Sequence, residues 1–265
     1  MILYVYSKYS RNGKYENIKY IEEKLKEKYQ DLQIVAYDEI ETINKSDADV
    51  LFFSGGDGVF HHIINDFKEY LNYIVFGYIP TGTANDIAKN HGISSIDDAL
   101  DIIDKGIVKE ENLLEVNDEL FIYALSVGEM SRVSIDTKTK NKKHFGKFIY
   151  KIKGIRYLFT KKKIVNIDGK DYKLKVLIAL RSKYLGGVKI GKEVDEKIHL
   201  YLIKNIFDVI KLFIFNRFKN IKGIEATNVD IKSDSLWCVD GEELKIKQGN
   251  IQISEHKMKL LSKNT

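Results

Sequence analysis

The chain of 265 residues has a single cysteine, Cys238, a single proline, Pro80, and a single tryptophan, Trp237. A lone cysteine excludes an internal disulfide framework and fits a reducing compartment. Cys238 itself reads as a small buried hydrophobe rather than a nucleophile. No apolar run approaches the roughly 20 residues needed to span a bilayer, so a soluble or peripheral protein is expected. The first residues, Met1-Ile-Leu-Tyr-Val-Tyr6, are strand-like, with neither a basic leader nor a cleavage signature, so no secretory signal is expected. What is present is ordinary for a globular chain. Hydrophobic residues make up 44% and charged residues 31%, enough for a proper core. The net charge of +5 is mild, and its distribution matters more than its size. The length allows one large domain or two modest ones.

The chain is organised around Asp49-Val-Leu-Phe-Phe-Ser-Gly-Gly-Asp-Gly58. Val50 to Phe53 is long enough for a buried strand and too short for a buried helix. Ser54, Gly55 and Gly56 then let the backbone bend and approach a ligand closely, because glycine has no Cβ. Val59, Ile63, Ile64, Phe67, Tyr70 and Leu71 follow at helical spacing. A strand, a glycine turn and a helix start aim backbone N–H groups at an anion. Asp57 inside the turn would repel phosphate unless a cation or a donor network accompanies it. By itself the stretch fits an ordinary tight strand-to-helix turn equally well.

Around this stretch, strands are predicted at Ile2–Tyr6, Gln33–Tyr37 and Tyr73–Tyr78, and helices near Ile18–Tyr29, Ile87–Asn90 and Ile96–Ile103. Strands alternating with helices predict a Rossmann-like α/β domain with a parallel sheet. A second polar turn, Pro80-Thr-Gly-Thr-Ala-Asn-Asp86, follows the last of these strands. Ligands of such sheets bind beyond the carboxyl ends of the strands, where both turns would lie. From Phe121 the texture changes to closely spaced strands: Phe121–Val127, Asp171–Leu180, Glu196–Ile203, Asn228–Lys232, Leu236–Val239, Leu244–Lys247 and Ile251–Ser254. These predict a C-terminal antiparallel β-sandwich. The expected organisation is α/β plus all-β, with an α/β domain over 1–116, a β-sandwich over 117–254, and a tail of about 255–265 that can rejoin the first domain.

Ser54-Gly-Gly-Asp-Gly58 paired with Gly82-Thr-Ala-Asn-Asp86 resembles the diacylglycerol kinase catalytic domain family, which includes bacterial lipid kinases and the related sphingosine and ceramide kinases. Phe145-Gly-Lys-Phe-Ile-Tyr150, Tyr184-Leu-Gly-Gly187 and Asp240-Gly-Glu242 extend the likeness over most of the chain. The resemblance implies an ATP- and Mg²⁺-dependent lipid kinase. Ser54, Gly55, Gly56, Asp57, Gly58, Gly82, Thr83 and Asn85 would bind the nucleotide. Asp57 and Asp86 would organise Mg²⁺, and Glu242 would act as general base toward the lipid hydroxyl. Asp195 and Glu196 stand where bacterial members hold a structural magnesium, and an exposed charged turn is the competing reading. The competing reading of Asp240-Gly241 is a type I′ hairpin turn with Glu242 solvated.

This sequence also departs from the family pattern. Tyr6-Ser7 replaces the usual Asn-Pro, Val59 stands where a threonine completes the glycine turn, Asn112 stands for an aspartate and Tyr123 for an asparagine. These departures leave open a catalytically weak or inactive homologue that binds nucleotide or lipid; a kinase of a soluble substrate such as NAD is a further alternative. His61 and His62, adjacent on a helix, lack the spacing of a metal pair and read as structural. From Lys138 to Lys163 the chain carries eleven Lys and Arg and no acid, interleaved with Phe145, Phe148, Tyr150, Tyr157 and Phe159. That mixture suits a membrane surface with anionic headgroups, and nothing else in the sequence supports nucleic acid. Ile206–Phe218 is a second candidate for lipid contact. A cytoplasmic protein, peripherally associated with the inner face of the membrane, is expected; the sequence is silent on oligomeric state.

Overall fold

The computed structural model describes residues 1–8, 15–131, 160–185, 188–189, 197–213, 221 and 223–263. The chain divides into two compact units, Met1–Leu113 with Glu255–Thr265, and Leu114–Ser254. In the first unit the order is β1 (Ile2–Tyr6), α1 (Tyr15–Lys28), β2 (Leu32–Ala36), β3 (Val50–Gly55), α2 (Asp57–Asp66), β4 (Val75–Pro80), α3 (Asp86–Asn90) and α4 (Ile96–Lys105). The strands lie β2-β1-β3-β4, all parallel. As the inner strand, β3 buries Leu51, Phe52 and Phe53 completely or nearly so. That is why its sequence is an unbroken apolar run rather than an alternation. The chain's end closes this sheet: Lys259 and Leu260 pair in parallel with Val75 and Phe76 of β4.

The helix after the glycine turn is shorter than its apolar spacing suggests. It ends at Asp66, and a 3₁₀ turn, Lys68–Tyr70, carries Phe67 and Leu71 into the core. Its buried face is Phe60, His61, Ile63 and Ile64. Phe60 meets Phe53 edge-on at 5.1 Å and Tyr78 edge-on at 5.0 Å, so helix and strands are locked directly beneath the turn. His61 is buried, and His62 stacks on Tyr37.

The second unit contains β5 (Val108–Val116), which enters it from the first, then β6 (Glu119–Phe121), β7 (Ala124–Val127), β8 (Lys163–Ile167), β9 (Lys170–Leu174) and β10 (Val176–Leu180). A small hairpin, β11 (Tyr184–Leu185) with β12 (Val188–Lys189), precedes β13 (Ile198–Ile203) and α5 (Ile206–Phe213). The chain continues through β14 (Gly223–Ala226), β15 (Asn228–Lys232), β16 (Trp237–Val239), β17 (Glu242–Leu244) and β18 (Gln248–Leu261). One antiparallel sheet runs β14-β13-β10-β7-β16-β17. The strands facing it run β18-β15-β8-β9, with β5 pairing β18 and β6. Leu125, Val127, Leu177, Leu200, Trp237 and Val239 of the first sheet share one apolar core with Leu114, Val165, Leu174, Ile231 and Ile251 of the second. Trp237 is fully buried, and its indole N–H donates to the Ser233 carbonyl at 3.2 Å. The fold class is thus α/β plus an antiparallel sandwich.

Two expected strands are each broken in two. Phe121–Val127 splits into β6 and β7, because the amides between them are drawn to Asp240. Asp171–Leu180 splits at Lys175, whose N–H leaves the line to reach the Ile203 carbonyl at 2.8 Å. Conversely, Ile251–Ser254 is the middle of a 14-residue strand that carries Glu255, His256 and Lys257 in its charged half.

Candidate functional site

The two glycine-bearing turns of the first unit emerge from neighbouring strands, and their backbones touch. A Cβ placed on Gly82 would lie 2.4 Å from the Gly56 Cα and 2.5 Å from the Asn85 Oδ1. A Cβ on Gly56 would lie 3.2 Å from the Gly82 Cα. Glycine at 82 is therefore a packing requirement, since the obstructing atom is backbone and cannot rotate away. Gly55 has a different obligation: its Cα faces Val59, whose Cβ would be 2.5 Å from an added Cβ. The strand ladder carries into the turns, with the Thr81 N–H donating to the Gly55 carbonyl at 2.9 Å. The buried Tyr78 hydroxyl donates to the same carbonyl at 3.3 Å.

Asp57, the first residue of α2, ties the turns together. Its Oδ1 accepts the N–H of Ile87 at 3.1 Å, a donor in the first turn of α3 that has no partner within that helix. The Asn85 amide donates to the Gly82 carbonyl at 3.1 Å, while the residue itself sits in the left-handed region at φ 49°. Asparagine tolerates that region better than most non-glycine residues. Asp86 is only 1% exposed, with Lys89 3.5 Å from its carboxylate. Lys89 also donates to the Ala84 carbonyl. Burial pushes the Tyr78 phenol well above its usual range, and the nearby Asp57 and Asp86 carboxylates add to the effect. Tyr78 is therefore a neutral donor throughout the physiological range.

Each expected nucleotide contact now has a place. Gly56, Asp57 and Gly58 are partly exposed at the start of α2, where no side chain caps the helix. Thr83 is exposed at the tip of the second turn. The Ser54 hydroxyl is buried and paired with the Tyr4 hydroxyl at 2.8 Å, inside the core rather than at the turn's open face. The uncapped helix start, the glycine turn and the exposed threonine fit the phosphates of a nucleotide. For Mg²⁺ the partly exposed Asp57 fits, because this ion is usually held by one or two carboxylates plus phosphate oxygens. The buried, lysine-paired Asp86 does not present itself that way. No group of three or more His, Cys, Asp and Glu gathers among the described residues. Asp195 and Glu196 lie outside the described residues, as do 138–159 of the basic stretch, Phe145–Tyr150 and Gly186-Gly187.

Asp240-Gly-Glu242 belongs to the second unit. Asp240 at φ 45° and Gly241 at φ 91° form the two-residue loop between β16 and β17, the pattern of a type I′ turn. Asp240 is 1% exposed and is the hub of its surroundings. Its Oδ2 accepts the N–H of Ile122 at 2.7 Å, and its Oδ1 accepts those of Tyr123 at 3.1 Å and Ala124 at 3.0 Å. Its own N–H donates to the Ala124 carbonyl at 2.8 Å. Glu242 follows, half-buried, at the first position of β17. The aspartate thus fixes the backbone from which the glutamate projects.

Sequence reasoning missed Tyr4 and Tyr78 beneath the glycine turn and the amide trio held by Asp240. The tyrosines read only as strand residues. For the amides, the one available signal was an Asp-Gly pair placed to follow a strand.

Residues 4–116 match the model of the diacylglycerol kinase catalytic domain. A diacylglycerol kinase of Staphylococcus epidermidis is 35% identical over 121 residues, 45% of this chain and 38% of that protein. One of Staphylococcus aureus is 33% identical over 134 residues, 49% of this chain and 42% of that protein. The alignments thus span less than half the length of these relatives. Among solved structures, a diacylglycerol kinase of Bacillus anthracis superposes with a TM-score of 0.76 at 20% identity, covering 99% of this chain and 96% of its own. An NAD kinase of Archaeoglobus fulgidus superposes with a TM-score of 0.59 at 16% identity, covering 99% and 94%. The fold is therefore the one shared by these two kinds of kinase. Residues 4–116, where both glycine turns lie, are thus similar to the diacylglycerol kinase catalytic domain.

Proposed function

We propose that the protein is an ATP-dependent lipid kinase acting on a hydroxyl of a diacylglycerol-like lipid. The observation that carries this reading is the match of residues 4–116, which contain both glycine turns, to a diacylglycerol kinase catalytic domain. The two staphylococcal relatives, 33–35% identical over their matched parts, are named diacylglycerol kinases, and the structurally similar NAD kinase was solved in complex with ATP. In this reading the N-terminus of α2 and the backbone of Gly55, Gly56 and Gly58 cradle the phosphates, with Gly82, Thr83 and Asn85 on the other side. Asp57 holds Mg²⁺, which when bound neutralises phosphate charge. Asp86, buried beside Lys89, positions the second turn.

The lipid hydroxyl oxygen bonds to the γ-phosphorus as the bond from phosphorus to the β–γ bridging oxygen breaks, and ADP leaves. The hydroxyl proton passes to the Glu242 carboxylate, whose position is set by the Asp240 turn. The protein works as a peripheral protein on the cytoplasmic face of a membrane, through the basic and aromatic stretch 138–163. No helix among the described residues is long and apolar enough to cross a membrane.

Incubating the protein with labelled ATP, a panel of lipid alcohols and NAD tests the reading. Label in a lipid supports it, and label in NAD alone refutes it. Glu242→Gln should lower lipid phosphorylation at least about 100-fold with the KM for ATP unchanged, as expected on losing a general base. Full activity in that variant removes Glu242 from the role. A second reading, a nucleotide- or lipid-binding homologue with little transfer activity, is favoured by Val59, which leaves the turn without a hydroxyl at that position. Nucleotide binding without label in any acceptor would establish it.

A further inference from the structure

The start of α5, in the second unit, presents a combination that neither the core nor the proposed reaction explains. Phe207 is 69% exposed, while Val209 two residues on is buried. The helix tip that carries Phe207 is held rigidly. The Asp208 N–H donates to the Asn205 Oδ1 at 3.0 Å, and the Asp208 Oδ2 accepts the N–H groups of Lys204 at 2.9 Å and Asn205 at 3.2 Å. This reciprocal cap consumes Asp208, the only acid in the helix.

Lysines stand close to it, with Asp171 between Lys170 and Tyr172 in β9. Lys211 lies one turn beyond Phe207, at the spacing that shares a helix face. Lys204, just ahead of the cap, places its ammonium 5.9 Å from the centre of the Tyr172 ring. Lys170 stands 5.7 Å from the same ring centre. Two cations beside one aromatic ring are tolerable because the ring attracts each of them. A lone exposed phenylalanine is ordinary on a protein surface, but one bracketed by lysines on a capped helix tip pairs an apolar group with cations. A bilayer with anionic headgroups satisfies both halves: the ring enters the acyl boundary while the ammonium groups meet lipid phosphates.

We propose that the capped tip of α5, comprising Phe207, Lys204 and Lys211 with Lys170 beside Tyr172, is an anchor for an anionic lipid bilayer. The proposal rests on the lipid-kinase reading only for preferring a bilayer over other polyanions, and its residues are none of those in the 138–163 stretch.

The test uses the full chain and vesicles of phosphatidylcholine with or without phosphatidylglycerol. Wild type should sediment with the anionic vesicles and be released by salt. Phe207→Ala should weaken this binding about tenfold, the scale of one lost aromatic ring. The double variant Lys204→Gln/Lys211→Gln should weaken it by a similar or larger factor, with a flatter salt dependence. Relative to wild type, Phe207→Trp should add a tryptophan emission that shifts to the blue when anionic vesicles are supplied. Unchanged vesicle affinity in both the Phe207 and the lysine variants would overturn the proposal, as would a Phe207→Trp emission that vesicles leave untouched. An RNA oligonucleotide that binds as tightly as the vesicles, and is released by the same substitutions, would overturn the bilayer assignment. Lipid phosphorylation by the wild type is scored separately, so the anchor and the kinase reading can fail independently.

Discussion

The three amides held by Asp240 make a sharp prediction. Asp240→Ala removes an acceptor from three buried N–H groups at once, those of Ile122, Tyr123 and Ala124. A buried donor left unsatisfied costs about 1–3 kcal/mol, and a water entering the gap recovers part of that. Allowing for such relaxation, the loss should be about 3–5 kcal/mol. Asp240→Asn is the informative companion. Asparagine accepts the left-handed conformation at φ 45°, so the backbone is unperturbed. Its carbonyl oxygen can keep the Tyr123 and Ala124 bonds, but its amide then opposes the Ile122 N–H as donor against donor. Its cost should be about 1–3 kcal/mol.

Trp237, the only tryptophan, lies in β16 three residues before Asp240 and is fully buried in the second unit. Its fluorescence in urea therefore reports this unit alone. With a urea slope of about 2 kcal/mol per molar, Asp240→Ala should lower the midpoint by about 2 M and Asp240→Asn by roughly 1 M. An alanine variant that melts within about 0.3 M of wild type would show that the carboxylate does not hold the loop. An asparagine variant as unstable as alanine would show that the geometry assigned to Oδ1 is wrong.

Three further outcomes are expected. Gly82→Ala, blocked by the Gly56 backbone at 2.4 Å, should abolish detectable ATP-dependent activity, whereas Gly56→Ala, whose added Cβ meets backbone at 3.2 Å, should retain part of it; steady-state kinetics on both checks the order. Val59→Thr is nearly isosteric and returns a hydroxyl to the glycine turn. It should lower the KM for ATP about 2- to 10-fold, the range of one added hydrogen bond, and a raised KM would show that the site is not built around a hydroxyl at that position. Burial holds His91 below its ordinary pKa of 6.5, against the smaller upward pull of Glu111. Below about pH 6.5 the unfolded chain therefore takes up a proton that the folded chain refuses, and stability falls until the lower folded pKa is passed. Melting temperatures between pH 7.5 and 5 should drop more steeply for wild type than for His91→Gln, and parallel curves would refute the assignment.

The parts of this molecule that are local in sequence were legible there. The apolar run of β3, the two glycine turns and the Asp-Gly hairpin each carry their signal within a few residues, and α/β followed by antiparallel strands came from spacing alone. What was not legible depends on partners far along the chain. Nothing near Ile122 shows that its amide will leave the strand for an aspartate at position 240. Val108–Val116 did not read as a strand because Lys109, Glu110 and Glu111 mask the apolar half that is buried. Lys163–Ile167, which pairs with β9, was not read as a strand because it starts on the last lysine of the basic stretch assigned to the membrane. At the site, Asp57 and Asp86 looked alike in sequence. Only burial separates the exposed edge of one from the enclosed carboxylate of the other.

The contact of Gly56 with Gly82 has a thermal consequence. Where two loops meet through side chains, the gap between them breathes as rotamers exchange, and it widens on warming. Here α-carbon faces α-carbon, with no rotatable bond in the contact. The separation is set by covalent geometry and by the strand ladder behind it, whose last bond joins Thr81 to Gly55. The two loops therefore move as one piece, and the spacing they offer a ligand should stay the same up to the temperature at which β3 and β4 themselves part.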